Sequence, residues 1–134
     1  EHVYPVVANK EQLMSIGFKY IGSIPPIKES LKLIGKNNVN HQALICRPEV
    51  HTMHSLAFHY LRAKLQQAFK SNKIADNSSF VISTVSSFAG EGKSFISTNL
   101  ALSFGSVGKK TLIVDCDYRR SSLENFFKSK KEKY

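Results

Sequence analysis

Apolar residues recur at two different periods along the chain, and the change of period marks its elements. Met53, Leu56, Ala57, Tyr60, Leu61, Leu65, Ala68 and Phe69 fall three or four apart, which predicts a helix over 53–69 with one apolar stripe. Arg62, Lys64 and Gln66 point away from most of that stripe. Ile96, Leu100, Ala101, Phe104 and Val107 predict the inward face of a second helix, over 93–106. Between and after these lie two short runs rich in β-branched residues, Phe80–Val85 and Thr111–Val114, each of strand length. The order strand, helix, strand predicts a βαβ unit with parallel strands and a right-handed crossover. The expected fold class is therefore α/β.

Weaker patterns flank this unit. Asn9 is a plausible N-cap for a short helix through Ser15, with Gly17 ending it. Phe18–Ile24 alternates as a short strand does and stops at Pro25-Pro26, since proline supplies no ladder donor. Residues 27–50 read as a linker in which Glu29–Ile34 is the candidate helix. Residues 72–79 read as a polar connection, and a last helix is expected from Ser122 to about Lys128.

Composition narrows the function classes. At 134 residues the chain has the length of one domain with a modest core. No apolar run approaches the roughly 20 residues needed to cross a bilayer. The chain starts at Glu1 without a signal-peptide pattern, so a piece of a longer protein is expected. Lys and Arg number 19 against 10 Asp and Glu, a net +9 that favours anionic partners such as nucleotide phosphates, nucleic acid or an anionic membrane leaflet. No basic-aromatic interleaving or nucleic-acid module accompanies that charge, so nucleic acid is not expected as a partner. Lys128, Lys130, Lys131 and Lys133 read as a solvated tail. Cys46 and Cys116 fit no disulfide framework, and their presence suits a reducing cytoplasm. His51 and His54 near Cys46 match no standard zinc spacing. No nucleophile elbow supports a Ser/His/Asp hydrolase.

The stretch with chemistry is Ser87-Phe-Ala-Gly-Glu-Gly-Lys93-Ser94. A phosphate-binding loop needs backbone N–H groups to converge on oxygen, and side chains would obstruct them. Gly90 and Gly92 permit that approach, and the helix that follows offers its positive end. Lys93 is placed to reach the β- and γ-phosphates and Ser94 to put its hydroxyl on Mg²⁺. Ser87 stands where the pattern usually has its first glycine. The plainer alternative is a glycine-containing surface turn before a helix. Asp115 and Asp117 follow the second apolar run, on one side of an extended chain. One carboxylate is suited to hold Mg²⁺ through water and the other to position or deprotonate a nucleophile. Their alternative is a turn that caps the next helix.

Ser86-x-x-x-Gly-Glu-Gly-Lys-Ser, then Asn99-Leu-Ala101, then Gly108-Lys-Lys-Thr-Leu-Ile-Val-Asp-x-Asp-x-Arg-Arg, together resemble the bacterial tyrosine kinases of polysaccharide export. Tyr20–Pro25 is similar to the short strand before that family's kinase domain, and Ala57–Arg62 to its first helix. The resemblance implies a P-loop three-layer unit with parallel strands, of which this chain holds the N-terminal part with an incomplete sheet. It implies three stretches: 1–26 preceding the kinase domain, 27–50 as linker, and 51–134 as the N-terminal part of that domain. It implies ATP and Mg²⁺ as cofactors, bound through Ser87, Ala89, Gly90, Glu91, Gly92, Lys93, Ser94 and Phe95. Asp115 and Asp117 assist metal binding and catalysis within Leu112–Arg119, the counterpart of the family's modified second Walker A motif.

The implied activity is autophosphorylation of tyrosines on a neighbouring subunit, in a cycle that regulates capsule or exopolysaccharide length and export. The implied partners are further copies of the chain, a cognate phosphatase and the export machinery at the cytoplasmic side of the bacterial inner membrane. Three positions depart from the family pattern. Its Glu-x-x-Arg-x-x-Arg subunit-contact motif falls on Leu56, His59 and Arg62, its proline after Arg-Arg is Ser121, and no Walker B strand follows. Two other readings remain: a truncated, non-catalytic nucleotide-binding regulator, and a partition-type ATPase. The latter carries a lysine where this chain has Phe88.

Overall fold

Helix caps and glycine stops set the local structure of the protein. The structure, a computed structural model, describes residues 9–26, 44–46, 51–71, 79–119, 121 and 123–127. The expected helix at 29–34, nearly all of the 72–79 connection and the lysine-rich end lie outside the described residues. Four helices are described: α1 Lys10–Ser15, α2 Met53–Ser71, α3 Lys93–Gly105 and α4 Leu123–Phe127.

α1 begins where its cap dictates. Asn9 is extended, and its side-chain oxygen accepts from Gln12 N at 3.0 Å. Gly17 takes φ 90°, and Gly17 N and Phe18 N donate back to Met14 O and Leu13 O, closing the helix. At α2 the start is reciprocal: Ser55 N donates to Thr52 Oγ1 and Thr52 N to Ser55 Oγ, each at 3.1 Å. This is a capping box in which serine takes the place usually held by Glu or Gln.

α2 and α3 pack together and bound the core. Phe58 is completely buried, and its ring meets Phe95 edge-on at 5.7 Å. Around it lie Ile45, Cys46, Leu100 and Phe104, with Ile24, Leu61, Leu65, Phe95 and Ile96 half-buried at the margin. Burying Phe58 turns α2 away from the stripe expected for it. Met53, Leu56 and Tyr60 face solvent, while His54, Ser55 and Phe58 go inward. A broad apolar stripe leaves the rotation open by one residue, and the aromatic partner on α3 decides it.

The core also recruits Leu44–Cys46, which interrupts the stretch expected as linker. Asn99, fully buried on α3, holds it: Asn99 Oδ1 accepts from Ile45 N at 2.7 Å and Cys46 N at 3.2 Å. Asn99 Nδ2 donates to Phe95 O. Two buried backbone donors that no secondary structure satisfies are thereby paired by one side chain.

The expected α/β architecture, a P-loop unit with parallel strands, is overturned: the described residues are helical and contain no strand. Residues 18–24, 80–85 and 111–114 are irregular. In the last two the period-2 pattern survives as a choice of face. Phe80 packs tilted against Phe69 and edge-on against Phe104, and Thr84 bonds Ser97 on α3, whereas Val81 is 94% exposed and Val85 84% exposed. Likewise Ile113 is half-buried between Leu112, 86% exposed, and the outward Val114. Alternation selects a face, but a strand also needs a backbone neighbour about 4.8 Å away to complete its ladder. No such ladder is formed among the described residues. No helix among the described residues is long and apolar enough to cross a membrane.

Candidate functional site

The loop 86–92 is built by two glycines and closed by one lysine. Gly90 has φ 83° and Gly92 φ 93°, the left-handed region that side chains disfavour. No atom lies within 4 Å of a Cβ added at either, so backbone conformation and not space demands glycine. Gly92 is also the N-cap of α3 and brings no capping side chain. The helix begins with Ile96 N donating to Gly92 O at 2.9 Å.

Lys93, the first residue of α3, folds back over this loop. Its ammonium donates to Ser86 Oγ at 2.7 Å and to Phe88 O at 3.0 Å. Glu91 bends back on the same loop, and its Oε2 accepts from Phe88 N at 3.0 Å. That N–H, then the Ser86 hydroxyl, the Ser87 N–H and the nearby Lys93 charge, hold the Glu91 carboxyl below its usual range against a small opposing desolvation. The Ser86 hydroxyl has one proton and two acceptors in reach, Phe88 O at 3.0 Å and this carboxylate. Ser86, Phe88, Glu91 and Lys93 thus form one charged ring, with Ser87–Glu91 exposed and Lys93, Ser94 and Phe95 half-buried. Ser97 Oγ, donating to Thr84 Oγ1 at 2.9 Å, pins α3 to the segment entering the loop.

The two aspartates build a different structure. Asp115 Oδ1 accepts from Asp117 N at 3.0 Å, while its Oδ2 accepts from Ser121 Oγ at 2.8 Å and Leu123 N at 3.2 Å. Asp117 Oδ1 accepts from Arg119 N at 3.2 Å. These are turn and cap bonds, and they fix the start of α4. Asp115 and Asp117 therefore adopt the capping arrangement that a strand-to-helix turn allows.

Similar proteins were found for part of the chain. Tyrosine-protein kinase CpsD of Streptococcus pneumoniae is 48% identical over 52 residues, 39% of this chain and 23% of that protein. Tyrosine-protein kinase CpsD of Streptococcus agalactiae is 40% identical over 72 residues, 54% of this chain and 28% of that protein. The chain is a homologue of bacterial tyrosine-protein kinases. It spans only about a quarter of the length of these kinases. No family model matches the chain, and no solved structure does.

The structure places Glu91 and Lys93 on the loop, Asp115 at the start of α4 and Asp117 in the turn before it. Among the described residues no three His, Cys, Asp or Glu side chains cluster as a metal site. Both cysteines are free; burial pushes the Cys46 thiol up to about 12, which leaves it inert, while Cys116 is exposed.

His54 is buried with Nε2 3.2 Å from Pro26 O. His59 Nδ1 lies 2.9 Å from Ser103 Oγ in the α2–α3 seam. Burial, with the Arg62 and His51 charges, lowers the His59 pKa. Sequence reasoning missed Ser86 as the lysine's acceptor, Ser121 as the aspartate's donor, and Asn99 as the clamp on 45–46. The signal available for Ser121 was its place in the turn after a paired aspartate, where a hydroxyl completes a cap.

Proposed function

We propose that this chain is the ATP-binding part of a bacterial protein-tyrosine kinase acting in capsule or exopolysaccharide synthesis, with residues 86–94 as its phosphate cradle. The observation that carries the reading is the position of Lys93. Its ammonium is anchored to the loop's own Ser86 Oγ and Phe88 O, at the start of a helix whose cap residue, Gly92, brings no side chain. A cation, the positive end of a helix and two glycines at positive φ form a set that suits phosphate oxygens. Homology to tyrosine-protein kinases supports assigning that phosphate to a nucleotide and the reaction to transfer onto tyrosine.

In this reading the N–H groups around Gly90 to Ser94 orient the phosphates and Lys93 neutralises charge on the β- and γ-oxygens. Ser87, Ala89 and Phe95 border the nucleotide. Ser94 carries the hydroxyl suited to Mg²⁺, a hard cation that prefers oxygen ligands. Bound MgATP supplies the transferable γ-phosphoryl group, and the chain's part is positioning and charge stabilisation. Asp115 and Asp117 assist metal binding with the carboxylate lone pairs that their turn and cap bonds leave over. Further copies of the chain, a cognate phosphatase and the export machinery on the cytoplasmic side of the inner membrane belong to the same proposal.

Photolabelling with an azido-ATP tests it. Label is expected in the peptide carrying residues 86–105, with protection by ATP and none by adenosine. Label spread evenly over the chain, or undiminished by excess ATP, rejects the assignment.

A further inference from the structure

We infer that Glu91 is a latch on the loop: its carboxylate holds the loop's own donors, and an incoming phosphate must displace it. The inference rests on reading 86–94 as a phosphate loop and adds how entry to that loop is controlled. Three observations carry it. Glu91 Oε2 accepts the Phe88 N–H at 3.0 Å, a main-chain donor of the same residue whose carbonyl Lys93 contacts. The Ser86 hydroxyl and the Ser87 N–H also help to hold the Glu91 carboxyl below its usual range, so one acidic side chain sits among donors that an anion would use. Lys93 is meanwhile spent on Ser86 Oγ and Phe88 O, at 2.7 and 3.0 Å. An internal anion and an internal pair of acceptors thus satisfy the groups that would otherwise greet a ligand. The carboxyl, held below its usual range, remains ionised near neutrality and keeps the contact.

The consequence for binding is a population effect. A ligand that needs the loop open binds with its intrinsic affinity multiplied by the open fraction, so a loop open about a third to a tenth of the time costs about three- to tenfold. Glu91 is exposed, so water competes for the contact and the cost stays in this modest range. Removing a negative charge near bound phosphate would also tighten binding with no latch at all. Glu91→Asp separates the two: it keeps the charge, but its shorter side chain falls short of Phe88 N.

The experiment is ATP calorimetry on the whole chain, as wild type, Glu91→Asp, Glu91→Ala and Lys93→Met. Amide hydrogen exchange at Phe88 is measured alongside, without nucleotide. Expected are a three- to tenfold gain in ATP affinity in both Glu91 variants and faster Phe88 exchange in both. Gain in Glu91→Ala alone, with Glu91→Asp matching wild type, means bulk charge and overturns the latch. Equal or weaker affinity in both variants, or unchanged Phe88 exchange, also overturns it. If Lys93→Met leaves ATP affinity unaltered, the phosphate-loop reading itself fails and the latch falls with it. If Lys93 matters and Glu91 does not, the latch alone fails.

Discussion

Replacing Asn99 tests how the core is held, because one side chain there serves three backbone groups. Asn99 is fully buried, and its Oδ1 accepts from Ile45 N at 2.7 Å and Cys46 N at 3.2 Å. Alanine removes that acceptor and leaves two buried N–H groups without a partner. Each such group costs about 1–3 kcal/mol, and relaxation toward water recovers part of it, so a loss of about 2–4 kcal/mol is expected. The protein carries its own reporter. Cys46, 2% exposed, is next to Ile45 in the clamped segment, and Cys116 is exposed and free, an internal reference for intrinsic thiol reactivity.

Labelling of Cys46 by a thiol reagent must await opening of residues 44–46. With 1.4 kcal/mol per tenfold, Asn99→Ala should speed it by about 30-fold to nearly a thousandfold if the whole cost falls on that opening. Cys116 labelling should stay the same. Asn99→Leu fills the volume yet offers no acceptor, so it should behave like alanine. A leucine variant that protects Cys46 as well as wild type would show that volume and not hydrogen bonding holds the segment, and would refute the argument.

Three further outcomes are expected. Thr98 is fully buried with its Oγ1 unpartnered, so Thr98→Val should leave stability unchanged or raise it by up to about 1 kcal/mol, read from the urea midpoint. His59 has a lowered pKa in the fold, so the folded protein binds fewer protons than the unfolded chain. Its contribution is full above about pH 6.5 and is lost as pH falls below that, so the urea midpoint should drop between about pH 7.5 and 5.5, and His59→Gln should flatten that slope. Asp115→Ala removes the cap on α4, at a cost of about 1 kcal/mol, and Leu123 amide exchange should quicken roughly fivefold.

Local signals in the sequence were the readable ones. Asn9 and Gly17 bracket α1 because a cap and a left-handed stop act over a few residues. The expected helix over 93–106 is α3, and the one over 53–69 is α2 extended to Ser71. What needs a distant partner was not readable. The face of α2 depended on where Phe95 would meet Phe58, so Met53, Leu56 and Tyr60 ended outward. The runs 80–85 and 111–114 have strand composition, yet composition cannot supply a neighbouring backbone. Leu44–Cys46 sits between lysine-rich and proline-containing stretches, and its burial depends on the Asn99 side chain more than fifty positions on and on the core around Phe58. At the loop, Gly90, Gly92 and Lys93 were legible as a motif because each is required by local geometry. Ser86 and Glu91 acquire their parts only when the loop closes. For Asp115 the capping alternative, visible in the sequence beside the metal role, is the arrangement found.

The central claim is that Lys93 and its loop bind nucleotide phosphate. Calorimetric titration of the chain with MgATP, wild type against Lys93→Met, measures it directly. Losing a charge-assisted contact of about 1.5–3 kcal/mol should weaken binding roughly tenfold to a hundredfold while leaving the urea midpoint nearly in place. Equal affinities in a variant that remains folded would contradict the account.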